Sequence, residues 1–324
     1  MGVHGMRKVV LVSRRGVGAP GAGELVAELE GMGAQVWVVE CDVSRRGEVV
    51  ELLAGLPAPL TAVVHTAGVL DDAVVGALDA DRLDSVFRPK VDALAHLDEL
   101  TRGDDGPVGF VVFSSLAGLV GGAGQGNYAA ANSVMDAMVA RRRAAGLSGV
   151  SLAWGLWAVE TGMTAGLAET DRARMVRAGV VALGAEEGMR LFDAGLRSPW
   201  PVVAPVALDM PALAAVAEDG SLPALFRRVV VSRRSAPAAG RAGSAGPVGE
   251  LSWAQRLNGL DEQQQQAAVL ELVRKHAGAV LGLADPSALS TSRAFRDAGF
   301  DSLTSVELRN RLATATGLTL PATL

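Results

Sequence analysis

Short β-branched runs alternate along the first two thirds of this chain with longer stretches of helical period, and that alternation restricts its fold more than any other feature. Val9 to Val12, Gln35 to Glu40, Leu60 to His65, Val108 to Phe113, Val150 to Trp154 and Val202 to Ala207 read as strands. Helical patterns over Glu24 to Met32, Ser44 to Leu53 and Asp79 to Leu100 separate them. Strands joined through helices cannot pair as hairpins, so they enter a parallel sheet with helices on both faces. The expectation is an α/β fold with a Rossmann-like doubly wound parallel sheet, whose ligands bind beyond the carboxyl ends of the strands.

Those ends collect the residues a ligand needs: Ser13-Arg14-Arg15, Asp42, Thr66-Ala67-Gly68, Ser114-Ser115 and Trp154-Gly155. The charge-free stretch Phe113 to Met135 leaves a strand, crosses a Gly-rich loop and enters an Ala-rich helix. Ser115 stands 13 residues before Tyr128, and Asn132 four after it, so one helical turn sets phenol and amide on one face. Gly16-x-Gly18-x-x-Gly21, with Asp42 further on, matches the dinucleotide fingerprint in form. Pro20 argues against that use, because such a loop meets a pyrophosphate through free N–H groups. The adjacent Arg14-Arg15 pair suits the 2′-phosphate of NADP at the end of a second strand, with a solvated basic turn as the alternative. The segment from Gly155 to Val176 lacks a strand pattern and reads as a lid over the crevice or a helical surface excursion.

Composition supports this architecture and removes others. Of 324 residues 49% are hydrophobic but only 4% aromatic, with 39 glycines, so the core is built from Ala, Val and Leu. A net charge of -5 gives no electrostatic case for nucleic acid. Cys41 is the sole cysteine, which excludes disulfides and a cysteine-rich zinc site; no metal is expected, and a reducing cytoplasm is the simple setting. The uncharged run from Gly106 to Met135 is long enough to span a bilayer, but Ser114, Ser115, Gln125, Asn127 and several glycines interrupt it, so no membrane span is expected. Only three of the 30 basic residues are lysines: Lys8, Lys90 and Lys275.

Near Val230 the composition turns to Ser, Ala, Gly, Pro and Arg without apolar period, as in a flexible linker. A new unit follows. Asp261-Glu262 can start a helix through Ala267, Leu270, Val273 and Val280, and Asp301 can cap another containing Leu303, Val306, Leu308 and Leu312. The expected division is a catalytic domain over 1–228, a linker over 229–260 and a small helical domain over 261–324.

Ser115, Tyr128 and Asn132, together with LVSRRG, ECDVS, HTAGVLDD and FRPKVDAL, resemble the ketoreductase domain of a modular type I polyketide synthase, in the short-chain dehydrogenase/reductase superfamily. Ordinary members of that superfamily have lysine four residues after the tyrosine. The resemblance implies that the ketoreductases exchange the two positions, so that Asn132 stands there and Lys90 supplies the cation. It implies a tetrad of Lys90, Ser115, Tyr128 and Asn132, in which NADPH gives hydride to a β-ketone and Tyr128 protonates the developing alkoxide. Ser115 bonds the same oxygen, Lys90 lowers the phenol pKa, and Asn132 orients the lysine and its water. Ser13, Arg14, Arg15, Asp42, Val43, Ala67 and Gly68 are the cofactor-binding positions it implies.

Leu70-Asp71-Asp72 matches the LDD motif of B-type ketoreductases, which implies a D-configured, 3R alcohol; a surface acidic turn is the alternative. Val120, where A-type enzymes carry tryptophan, and Asn127 fit the same class; Ala123, often proline there, departs from it. Ala130 implies a domain that does not epimerise the α-carbon. The C-terminal unit resembles an acyl carrier protein of the same synthases, with Ser302 of GFDSL as the attachment point for 4′-phosphopantetheine. The implied partners are a carrier-bound β-ketoacyl chain and other synthase domains. The resemblance also implies truncation at both ends. MGVHGMRK stands where a first strand and a TGxxxGxG loop are expected, and the carrier has only its first two helices. That leaves a second expectation open: an inactive synthase fragment with at most a carrier or docking role, and weak NADPH binding.

Overall fold

The computed structural model describes residues 5–102, 108–158, 175–176, 179–218, 222–230, 253–281, 283, 285–291, 294–300 and 302–321. Most of the expected lid and linker lies outside them. The chain divides into two compact units, one of residues 1–72, 77–164 and 183–207, the other of 73–76, 165–182 and 208–324.

The first unit is the α/β one. Its strands are β1 (Lys8–Ser13), β2 (Gln35–Glu40), β3 (Ala62–His65), β4 (Gly109–Ser115) and β5 (Val150–Trp154), with a two-residue β6 (Val202–Val203). All pairings among them are parallel, β1 with β2 and then β3-β4-β5-β6 in order. No ladder joins β1 to β3 among the described residues. The sixth strand is shorter than expected because Pro205, without an N–H, interrupts the run to Ala207.

Helices α1 (Ala22–Gly31), α2 (Arg46–Ala54), α3 (Ala80–Phe87), α4 (Ala93–Leu100), α5 (Ala117–Val120), α6 (Gly126–Ala144) and α7 (Ala185–Leu196) complete the unit. Alternation along β4 explains why both faces of the sheet are covered. Phe110 and Val112 pack with Val49 of α2, Leu94 and Leu97 of α4, and Met135 and Val139 of α6. Val111 and Phe113 face the other way, onto Leu152, Trp154, Leu183 and Phe192 of α7. Each such side chain contributes about 1.5–3 kcal/mol when fully buried. The described part of the uncharged run, 108–135, is therefore a core strand, loop and helix, and no helix among the described residues is long and apolar enough to cross a membrane.

The long helix expected over Asp79 to Leu100 is broken. Asp79 caps α3 by accepting from the Arg82 N–H at 2.9 Å, but residues Arg88–Asp92 form a π-helical turn before α4. Pro89 lacks the N–H that would continue the α pattern, and the Ala93 N–H reaches back five residues to the Arg88 carbonyl. Lys90 lies at the middle of that turn.

The second unit contains α8 (Met210–Glu218), α9 (Trp253–Leu257), α10 (Glu262–Leu281) and α11 (Ser302–Thr316). Asp261 begins α10 with a reciprocal cap: its carboxylate accepts from the Gln264 N–H at 2.8 Å and its N–H donates to the Gln264 side chain at 3.2 Å. Ala277, Val280, Phe300, Leu308 and Leu312 form the core between α10 and α11. Ser302 is the first residue of α11, and Asp301 lies outside the described residues.

Candidate active site

Three elements of the first unit bring the four tetrad residues together. Ser115 ends β4, Tyr128 and Asn132 lie one turn apart on α6, and the π-turn delivers Lys90. Lys90 is 1% exposed and Asn132 0%. The Lys90 ammonium donates to Asn132 Oδ1 at 3.1 Å and stands 5.0 Å from the Tyr128 ring centroid. Asn132 Nδ2 in turn donates to the Tyr128 carbonyl at 2.8 Å, so the amide is held at both ends and its oxygen points at the lysine. Ser115 Oγ accepts from the Ala117 N–H at 3.2 Å, which fixes the oxygen at the end of β4.

Burial pushes the Tyr128 phenol above its ordinary value, and hydrogen bonds from Ser115 and Asn132 offset this only in part. The expected lowering by Lys90 is not found. The ammonium faces the ring and bonds to Asn132, while desolvation of an almost buried phenol outweighs the polar contacts. Lys90 itself is brought down to about 8 by burial, with Asp136 pulling the other way. At neutral pH the site therefore holds a protonated phenol beside an ammonium, which suits donation of a proton to a strong base such as an alkoxide.

The LDD motif is built into the same wall. Gln125 Nε2 donates to Asp72 Oδ2 at 2.8 Å, and Asn127 Nδ2 donates to the Asp71 carbonyl at 2.9 Å. The Asn127 side chain also accepts from the Tyr128 N–H at 2.9 Å, so the motif is tied to the backbone of the tyrosine itself. Asp71 is anchored from α3 by Arg82 and Ser85. Leu70 packs against the cluster of Val86, Tyr128 and Ala131. This is more than a solvated acidic turn.

A cavity of about 530 Å³ opens at the carboxyl ends of the strands, lined by Arg14, Asp42, Ser44, Val69, Arg88 and Asp92 among others. Burial raises the Asp42 carboxyl, but Ser44 hydrogen bonds and the Arg14 and Arg45 guanidiniums more than offset it and hold the group below its usual range. Arg45 is engaged by Asp42 and Glu48, and Arg88 by Asp84; among the described residues no ion pair occupies Arg14. A free guanidinium beside a fixed carboxylate fits the adenosine end of a nicotinamide cofactor. Ser13, Arg15, Val43, Ala67 and Gly68 do not line this cavity. Ser13 bonds the Gly16 carbonyl at 3.5 Å, and Val43 packs on the core. Gly16 adopts φ +49, and a Cβ there would meet the Glu40 Cβ at 3.0 Å, so its role is a turn against β2.

Two buried groups near the tetrad escaped the sequence reading. His65, at the end of β3, has an Nε2 without a hydrogen-bond partner and is held near pH 4 by burial and by Lys90, so it is neutral. Asp136 lies one turn beyond Asn132 on α6, and its Oδ1 accepts from Ser151 Oγ at 2.5 Å. The i, i+4 spacing that relates Tyr128 to Asn132 also relates Asn132 to Asp136.

A parallel α/β sheet with serine at the end of β4 and tyrosine on α6 beyond it is the arrangement of a short-chain dehydrogenase/reductase, here with the lysine supplied from another turn. The KR domain family model matches residues 1–159, and the phosphopantetheine attachment site model matches 271–324. The chain is 50% identical over 99% of its length to the mycoketide-CoA synthase of Mycobacterium tuberculosis, of which it covers 8%. It is likewise 50% identical over 100% of its length to a pikromycin polyketide synthase component of Streptomyces venezuelae, of which it covers 9%. A solved A-type ketoreductase from a modular polyketide synthase matches with TM-score 0.60 and 41% identity, over 67% of this chain and 45% of that one. The first ketoreductase of the tylosin synthase matches with TM-score 0.59 and 40% identity, over 67% and 46%. The chain belongs to the ketoreductases of type I polyketide synthases and carries a phosphopantetheine-attachment segment after that domain. It spans less than a tenth of the length of these curated relatives.

Proposed function

We propose that this chain catalyses NADPH-dependent reduction of a β-ketoacyl thioester to a 3R β-hydroxyacyl thioester in polyketide assembly. The observation that carries the proposal is the joining of Lys90, Asn132 and Tyr128 in one buried hydrogen-bonded cluster at the carboxyl end of the sheet. A reduced nicotinamide supplies hydride when bound; the residues of the chain manage the proton and the developing charge. Tyr128 donates its phenolic proton to the carbonyl oxygen, and Ser115 donates a hydrogen bond to the same atom. The Lys90 ammonium, fixed by Asn132, stabilises the phenolate as it forms. Arg14 holds the 2′-phosphate, which is the basis for preferring NADPH over NADH.

The stereochemical assignment rests on Leu70-Asp71-Asp72 and its ties to Gln125 and Asn127. Overall likeness is not the basis of the class, since solved relatives described as A-type, A1-type and C2-type all match this chain. In the domain plan proposed, residues 1–228 reduce, 229–260 link, and 261–324 carry the acyl chain on a phosphopantetheine arm at Ser302, in a cytoplasmic setting with other synthase domains. NADPH oxidation with a β-ketoacyl thioester, followed by chiral analysis of the product, tests the proposal. A 3R alcohol formed by the parent chain and lost in Tyr128→Phe is expected. No turnover by the parent chain, or a 3S product, contradicts it.

A further inference from the structure

Asp136 is 6% exposed, yet its second oxygen, Oδ2, has no hydrogen-bond partner. Its first oxygen is committed to Ser151, whose side chain points from β5 toward α6 because Leu152 and its alternate neighbours face the other layer. A buried carboxylate left with a free oxygen needs a nearby positive charge. Asp136 sits on the same face of α6 as Asn132, the residue that accepts from Lys90. Lys90 is a buried ammonium with only one hydrogen-bond acceptor and no direct ion pair among the described residues. Each ion therefore supplies what the other lacks.

From this geometry we infer that Asp136 is a positioning residue of the ketoreductase site, the counter-charge that holds the Lys90 ammonium beneath Tyr128. The other groups around Lys90 do not serve. From β3 comes only His65, which is neutral; from α6 come Tyr128 and Asn132, both uncharged. Asp84 of α3 pairs with Arg88, Arg82 of α3 takes Asp71, Asp72 accepts from Gln125, and Asp81 of α3 faces the cavity, as does Asp92 of the π-turn. On α4, Asp98 is taken by Arg102 and Arg142, and Glu99 by Arg46, while His96 meets the Val43 carbonyl. Burial raises the Asp136 carboxyl, while Ser151, Ser114 and Lys90 favour its ionised form, and among the described residues Asp136 favours the protonated form of Lys90 against desolvation.

The inference deepens the reading of the site as a ketoreductase, but its test needs neither substrate nor cofactor, so the two fail separately. The chain has three lysines, and carbon-13 labelling of lysine gives three resonances to titrate in the intact protein. Lys8→Arg and Lys275→Arg assign the remaining one to Lys90. In Asp136→Asn, which preserves shape and an acceptor for Ser151, the Lys90 midpoint falls by about one unit. Asp136→Glu restores it. Ser151→Ala, which removes a bond favouring the carboxylate, moves the midpoint in the same direction by less, and serves if Asp136→Asn does not fold. An unchanged midpoint in either folded variant overturns the assignment.

Discussion

The Lys90 ammonium lies over the face of the Tyr128 ring, 5.0 Å from its centroid, and is bonded not to the phenol but to Asn132. The lysine is therefore placed to answer charge that develops on the tyrosine rather than to ionise it beforehand. A raised phenol and a lysine brought down to about 8 divide the work: one holds the proton to be given, the other the charge that receives the resulting anion.

That division sets a pH dependence. Lys90 is charged below about 8 and loses its proton as pH rises through that value, so kcat/KM for reduction falls above about pH 8, approaching tenfold per unit. Steady-state rates across this range check it. A plateau extending past pH 10 contradicts it.

His65 gives a prediction about stability. Its folded value of about 4 lies below the ordinary 6.5, so as pH falls the unfolded chain takes up a proton first. The stability present above pH 6.5 is lost as pH falls through about 4, by about 3 kcal/mol for this group. Urea unfolding at pH 7 and pH 4 measures the loss, and His65→Gln should remove that part of the difference.

Gly118 joins the loop after Ser115 to the catalytic helix. Its carbonyl accepts from Ser133 Oγ at 2.7 Å, and a Cβ there would lie 3.0 Å from the Asn132 Cβ and 3.1 Å from the Ser133 nitrogen. Gly118→Ala should destabilise the fold by about 1–3 kcal/mol and depress turnover beyond what lost stability explains, since α5 must move off Asn132. Thermal unfolding together with rate measurements on the folded fraction decides this.

Ser302 is the first residue of α11. With a phosphopantetheinyl transferase and coenzyme A, the parent chain should gain one arm by intact mass and Ser302→Ala none. Equal mass gain in both moves the attachment elsewhere.

Much of the site was legible because its parts obey local rules. The strand at Val150–Trp154 and the one at Gln35–Glu40 declare themselves by β-branched runs, and Tyr128 and Asn132 by one turn of helix. Lys90 was placed by resemblance, since nothing in helical period announces a π-turn; Pro89 was the available signal. The short β6 was over-read because an apolar run hid the effect of Pro205. His65 and Asp136 were overlooked because a polar residue inside a β-branched strand or an Ala-rich helix carries no mark of burial until tertiary packing surrounds it. The raised phenol has the same origin: desolvation is a property of the packed site.

The most direct test of the account is NADPH oxidation by the parent chain and by Tyr128→Phe on a β-ketoacyl thioester at neutral pH. The expected result is measurable reduction by the parent and a loss of at least about 100-fold in the variant, with both proteins folded. Equal rates in the two would contradict the assignment of Tyr128 as the proton donor.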